Sequence, residues 1–108
     1  MSDLLEHVKS IAADLSHPER MDADTWQDDC GPNAADYCQD VLDVEYIIGS
    51  DGSFKGARLL VAFGGPNIWI DTRHGRVEGY WWDVEETAHF YDALGLHDFW
   101  EEMWACCA

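Results

Sequence analysis

The sequence predicts an α+β fold: a four-stranded antiparallel meander sheet with two N-terminal and two C-terminal helices. Three observations carry that expectation. The middle of the chain alternates apolar and polar residues between turn signals, the period of half-buried strands. Both ends instead repeat apolar residues at helical spacing. The register that the turns imply keeps every aliphatic row of the sheet on one face. At 108 residues the chain is one α+β domain, 1–108, long enough to bury a core without metals or disulfides.

The first helix starts at Ser2, a good cap, and runs to about Leu15, with Leu4, Leu5, Val8, Ile11, Ala12 and Leu15 on one stripe. Ser16-His17-Pro18 ends it, because proline disfavours the helical region for the residue before it. Glu19 to Asp29 is polar and acidic, a loop or a frayed helical turn. Asn33 then caps a short helix through Leu42 that buries Ala34, Tyr37, Cys38 and Val41.

Asp43 to Ile48 reads as the first strand, followed by a turn on Asp51-Gly52. That turn sets Tyr46 opposite Ala57, Val44 opposite Leu59 and Glu45 opposite Arg58, a sensible cross-strand ion pair. A Gly65-Pro66 turn sets Val61 opposite Ile70 and Phe63 opposite Ile68. His74-Gly75 looks like a two-residue hairpin turn, pairing Ile70 with Gly79, Trp69 with Tyr80 and Asp71 with Glu78. One face of this hairpin is plain core. The other mixes Trp69, Tyr80 and Trp82 with carboxylates, and what covers it is the main functional question.

Asp83-Val84-Glu85-Glu86 has capping-box spacing, with acids where a helix dipole favours them, so a helix is expected from Asp83 to about Leu94, closed by Gly95. A last helix from Leu96 to Cys106 places Leu96, Phe99, Trp100, Met103 and Trp104 on an apolar stripe, with Asp98, Glu101 and Glu102 opposite.

Charge is the compositional outlier: 22 acids against 6 bases give a formal net charge of −16. Such a field excludes direct binding to nucleic acid or an anionic membrane surface, which needs clustered Lys and Arg. It favours a basic partner. The charge is also blocked. Residues 19–45 carry net −8, residues 46–77 net +2, and residues 78–108 net −8. A surface made acidic only for solubility would intersperse its signs more evenly. No apolar run is long enough to cross a bilayer and no signal peptide is visible, so the chain reads as soluble and cytoplasmic, with reduced thiols.

Metal and cofactor signals are weak. Asp22, Asp24, Asp28 and Asp29 could gather around a hard cation, but their spacing departs from the EF-hand loop. Cys30, Cys38, Cys106 and Cys107 lack the paired spacings of zinc sites. Gly64-Gly65 is followed by no lysine and is a turn rather than a phosphate loop. No cofactor is expected.

Gln27-Asp28-Asp29-Cys30-Gly31-Pro32 resembles the nucleophile segment of papain-like cysteine peptidases, where Cys-Gly-Pro opens a helix. A helix N-terminus lowers a thiol pKa, so the resemblance implies Cys30 as nucleophile. The likeness ends there, because Arg58–Phe63 holds no histidine where that family would place one. The expectation is a protein that is not an enzyme.

A second resemblance is one of type. The stretch Val61–Thr72, with Val77–Trp82, is similar to small proteins carried by phages and conjugative elements. Such elements encode anti-CRISPR and antirestriction inhibitors, some of which imitate DNA. The resemblance implies an acidic inhibitor that docks carboxylates into the basic groove of a CRISPR effector or restriction nuclease. Two patches are the candidate binding residues: Asp22, Asp24, Asp28, Asp29, Asp36, Asp40 and Asp43, then Glu85, Glu86, Glu101 and Glu102. Trp69 and Tyr80 would supply aromatic contacts. The alternative is a non-catalytic interaction module that forms a homodimer through the aromatic sheet face.

Overall fold

The computed structural model of the chain describes residues 3–21, 26 and 31–107. Cys30 and the acids Asp22, Asp24, Asp28 and Asp29 lie outside the described residues. Among the described residues, helix α1 (Asp3–Ser16), a 3-10 turn (Pro18–Arg20), a short helix α2 (Ala34–Tyr37) and a second 3-10 turn (Cys38–Asp40) lead into the sheet. Strands β1 (Asp43–Ile48), β2 (Phe54–Ala62), β3 (Asn67–Asp71), β4 (Arg76–Trp81) and β5 (Val84–His89) follow, then helix α3 (Leu96–Cys107). The strands run β1-β2-β3-β4-β5 in sequence order and every neighbour is antiparallel, so the sheet is a meander.

The expected sheet therefore gains a strand and loses a helix. The segment from Asp83 is not helical: Val84–His89 pairs along β4, from Trp81↔Val84 to Arg76↔His89. Two physical reasons explain the correction. Val84, Glu86 and Ala88 alternate toward one face with Glu85, Thr87 and His89 toward the other, a period of two that local acid content obscures. The open edge of β4 also offers a row of backbone groups, and satisfying them outweighs a capping box. Gly95 does not close that helix but precedes α3, whose first amides are capped from Asp92: its Oδ1 accepts from Leu96 N at 2.8 Å and its Oδ2 from His97 N at 3.0 Å. The helix from Asn33 is also shorter than expected. Asn33 does cap it, accepting from Asp36 N at 2.8 Å, but Val41 turns extended and Leu42 N donates to Leu60 O at 2.8 Å, already in step with β2.

Register holds at one turn and slips at two. Tyr46↔Ala57, Val44↔Leu59 and Glu45↔Arg58 pair as the sequence predicts. Between β2 and β3 the partner of Ile70 is Leu59 rather than Val61, with an irregularity between Leu60 and Ala62. A two-residue Gly65-Pro66 turn would set proline at a position its ring disfavours, and the chain makes a wider loop over residues 63–66. Between β3 and β4, Ile70 pairs with Val77, Trp69 with Glu78 and Asp71 with Arg76. Here Asp71 captures the backbone: its Oδ1 accepts from Arg73 N at 2.9 Å and from His74 N at 3.2 Å. Thr72 meanwhile turns to β2, donating its N–H to Ala57 O at 2.9 Å and accepting from Ala57 N on Oγ1 at 2.9 Å. These bonds lengthen the turn to residues 72–75. The β3–β4 slip is by two residues, so those strands keep their faces, whereas between β2 and β3 the shift is two residues at Ile70 and one at Ile68, across the irregularity that puts Phe63 in the loop.

The core lies on the face covered by the helices. Ala57, Leu59, Ile68, Ile70, Val77, Val8 and Leu96 are fully buried there. Helix α1 packs over β4 and β5, and α3 over β2. Tyr46 of β1 meets the rings of Trp100 and Trp104 at centroid distances of 6.2 Å and 5.2 Å, which seats the apolar stripe of α3.

Candidate functional site

A meander sheet has two ends, and here they differ in chemistry. At one end lie the start of β1, the β2–β3 loop and the β4–β5 turn, with the start of α1 above them. Asp3, Asp43, Asp83 and Glu85 are exposed there, and exposed Asp40 lies three residues before β1. None of the six Lys and Arg residues belongs to this end. Lys55, Arg73 and Arg76 sit at the opposite end of the sheet, Arg20 follows α1, Arg58 lies mid-strand on β2, and Lys9 is midway along α1. The fold thus joins the tail of one acidic block (Asp40, Asp43) to the head of the other (Asp83, Glu85). With strands about 4.8 Å apart, five of them set these carboxylates along a rim about 19 Å wide.

The same end carries exposed apolar side chains. Leu42 is 61% exposed, Phe63 65%, Trp82 92%, Trp81 43% and Val84 42%. Trp82 and Asp83 form a two-residue turn between the Trp81↔Val84 pair. Trp82 adopts φ 59, the sole non-glycine residue with positive φ among the described residues. A shallow groove of about 190 Å³ opens beside it, lined by Asp3, Leu4, Trp81, Trp82 and Val84. The spacing rules assigned Trp82 to the sheet face opposite Asn67, and so missed this edge. The signal was the Val84/Glu86/Ala88 alternation, which makes Trp82-Asp83 a hairpin turn.

The remaining candidate residues are dispersed. Asp36 is engaged at the start of α2, accepting from Asn33 Nδ2 at 3.0 Å. Glu86 is half-buried opposite Gly79. Glu101 and Glu102 are exposed on α3. Trp69 and Tyr80 lie on the sheet face away from the helices, both half-buried. Arg58 stacks over Trp69 at 4.5 Å from the ring centroid, and its two terminal nitrogens reach Glu45 and Glu78, each at 3.3 Å. Tyr80 keeps its proton to higher pH than a free phenol, first through burial and then through the Glu78 and Glu85 carboxylates.

That face is built around two buried carboxylates. Asp71 and Glu78 are 3% and 6% exposed. Arg76 Nε lies 2.7 Å from Glu78 and 3.8 Å from Asp71, and His74 Nδ1 lies 2.8 Å from Asp71. Burial pushes the Asp71 carboxyl up, but the His74 ring, the amides of His74 and Arg73 and the ring's charge outweigh it, so its pKa falls below the ordinary value. A carboxyl more acidic when folded stabilises the fold above the unfolded pKa of about 4 and loses that contribution as pH falls through the folded value. Acid titration of stability should therefore show a fall below about pH 4 that Asp71→Asn flattens. Two arginines and His74 thus answer the internal acids, Arg58 also pairing with exposed Glu45, and none of them reaches the acids at the loop end.

Cys38 is half-buried, and burial pushes its thiol up to about 11, with a smaller opposing effect from Trp100. It is a poor nucleophile at neutral pH. Among the described residues no three His, Cys, Asp or Glu side chains gather to hold a metal ion, and no helix is long and apolar enough to cross a membrane. Comparison with protein-family models, curated proteins and solved structures finds no match, so the reading of this surface rests on its chemistry alone.

Proposed function

We propose that this protein is an acidic inhibitor that occupies the basic, nucleic-acid-binding groove of another protein, of the anti-CRISPR or antirestriction kind. The observation that supports it is the separation of charge along the strands: an end rimmed by Asp3, Asp43, Asp83 and Glu85 with none of the chain's six bases. Carboxylates there would take the positions of phosphates, and the partner's Lys and Arg would meet them through charge-assisted hydrogen bonds. Exposed Phe63 and Trp82 suit the aromatic anchoring that interfaces use at their centre. The mechanism is occupancy and requires no catalysis.

The test is capture from a bacterial lysate, followed by a binding assay on what is captured. Retention should fall steeply between about 50 and 200 mM salt, as polyelectrolyte contacts do. The triple change Asp43→Lys, Asp83→Lys and Glu85→Lys should abolish retention while the melting temperature stays near wild type, since all three residues are exposed. The captured protein should lose its nucleic-acid binding in proportion to the inhibitor added. A partner that holds on at high salt, or that binds nucleic acid unhindered while complexed, would refute the reading.

Self-association is the second reading, favoured by the apolar residues Leu42, Phe63 and Trp82 at one end. It must bring two copies of formal charge −16 together. A dimer in sedimentation that strengthens with salt would favour it, because screening lifts like-charge repulsion.

A further inference from the structure

We propose that the groove between the start of α1 and the β4–β5 turn is a receptor for a basic side chain, arginine in particular, on the protein this acidic end meets. This rests on the function proposed above and names the part of the surface that grips. The groove is lined by Asp3, Leu4, Trp81, Trp82 and Val84. Its walls are indole and aliphatic, and its charged group is a carboxylate. Exposed Asp83 flanks it on the turn, while Glu85 points to the other face of the sheet, beside Tyr80.

The chain already seats one guanidinium in this way. Arg58 lies 4.5 Å from the centre of the Trp69 ring, with Glu45 and Glu78 at 3.3 Å on its nitrogens. An indole face beneath a planar cation with carboxylates at its rim is the arrangement arginine favours. The groove offers the same groups from Trp81, Trp82 and Asp3, at an end that holds none of the six Lys and Arg residues.

Trp82 borders the groove with its side chain 92% exposed. The turn holds the indole outward at the mouth of the groove. An apolar or acidic occupant would bury the Asp3 carboxylate without bringing a counter-charge. A basic one matches both walls.

The experiment titrates a polyarginine peptide into the full-length protein by calorimetry at about 50 mM salt. The variants are Trp82→Ala and Asp3→Asn, with Asp98→Asn on α3 as a distant charge control. Melting curves check that each variant is folded. Trp82→Ala and Asp3→Asn are each expected to weaken binding about five- to tenfold, the scale of a desolvated cation–π or charge-assisted contact, and Asp98→Asn less than about twofold. The Trp82 indole N–H signal, identified by its loss in Trp82→Ala, should shift during the titration. Polylysine of equal length should bind more weakly, because an ammonium does not stack as a guanidinium does. Salt-sensitive binding that Trp82→Ala leaves unchanged would overturn the groove and keep the polyanion reading. Equal losses from Asp3→Asn and Asp98→Asn would also overturn it, leaving only a diffuse field. No polyarginine binding by the wild type would overturn both. A wild-type dimer that Trp82→Ala dissolves would assign the groove to a second copy and overturn it as well.

Discussion

Replacing Gly79 with valine is expected to lower stability by about 3 kcal/mol, read as a drop in denaturant midpoint. Gly79 is buried on β4, directly beneath α1. A Cβ there would stand 2.6 Å from Val8 Cγ2 and 2.7 Å from Leu4 Cδ1. Leu4 could swing aside, but Val8 is fully buried and short, so α1 itself must lift. In an unobstructed strand the same change would stabilise, since valine suits the pleat better than glycine by up to about 1 kcal/mol. The sign of the result therefore decides whether α1 closes on β4 at this point. Because Leu4 lines the groove at the acidic end, Gly79→Val should also weaken polyarginine binding in whatever fraction remains folded.

The sequence made the two-layer arrangement legible where side-chain periods are long and uninterrupted. Helices α1 and α3 follow from their apolar spacing, and the β1–β2 register from the Asp51-Gly52 turn. The last helix is expected at Leu96–Cys106 and runs Leu96–Cys107. Legibility failed where a side chain competes with the backbone for hydrogen bonds. Asp71 is the clearest case: its carboxylate binds two amides and redraws the β3–β4 turn, which no reading of His74-Gly75 alone reveals. The strand β5 failed for the opposite reason. Its acids satisfy a local helix rule, while a neighbouring strand's open edge imposes the period of two. That single error hid the candidate site. With Asp83 taken as a helix cap, Trp81 and Trp82 read as the end of a strand face, and Glu85 and Glu86 as one helical patch. Recast as a hairpin, the same residues separate: Glu85 joins Asp43 and Asp83 at the sheet's end, while Glu86 is half-buried opposite Gly79.

Removing both guanidinium groups from the open sheet face, Arg58→Met with Arg76→Met, is expected to cost about 4 kcal/mol, more than the two single changes added together. Glu78 is 6% exposed and has two cationic partners, Arg76 at 2.7 Å and Arg58 at 3.3 Å. Either arginine alone still answers the charge, so each single change should cost only about 1 kcal/mol; both arginines are partly exposed, and water screens what remains. With both gone, Glu78 is buried without a counter-charge and Asp71 keeps only His74. Methionine keeps an apolar stem at each position but removes the guanidinium stacked on Trp69, so part of the Arg58→Met loss is that cation–π contact. Adding Glu78→Leu should then recover most of the stability, because a buried pair replaced entirely by apolar groups is often close to neutral. The cycle has a functional arm as well. These arginines neutralise Glu78, Asp71 and exposed Glu45, and neither lies at the acidic end, so the triple variant, once stable, should bind polyarginine at least as tightly as the wild type. Weaker binding in a folded triple variant would mean that the open face, with Trp69 and Tyr80, takes part in recognition. Unchanged or tighter binding would assign recognition to the loop end and leave the arginine network a structural role.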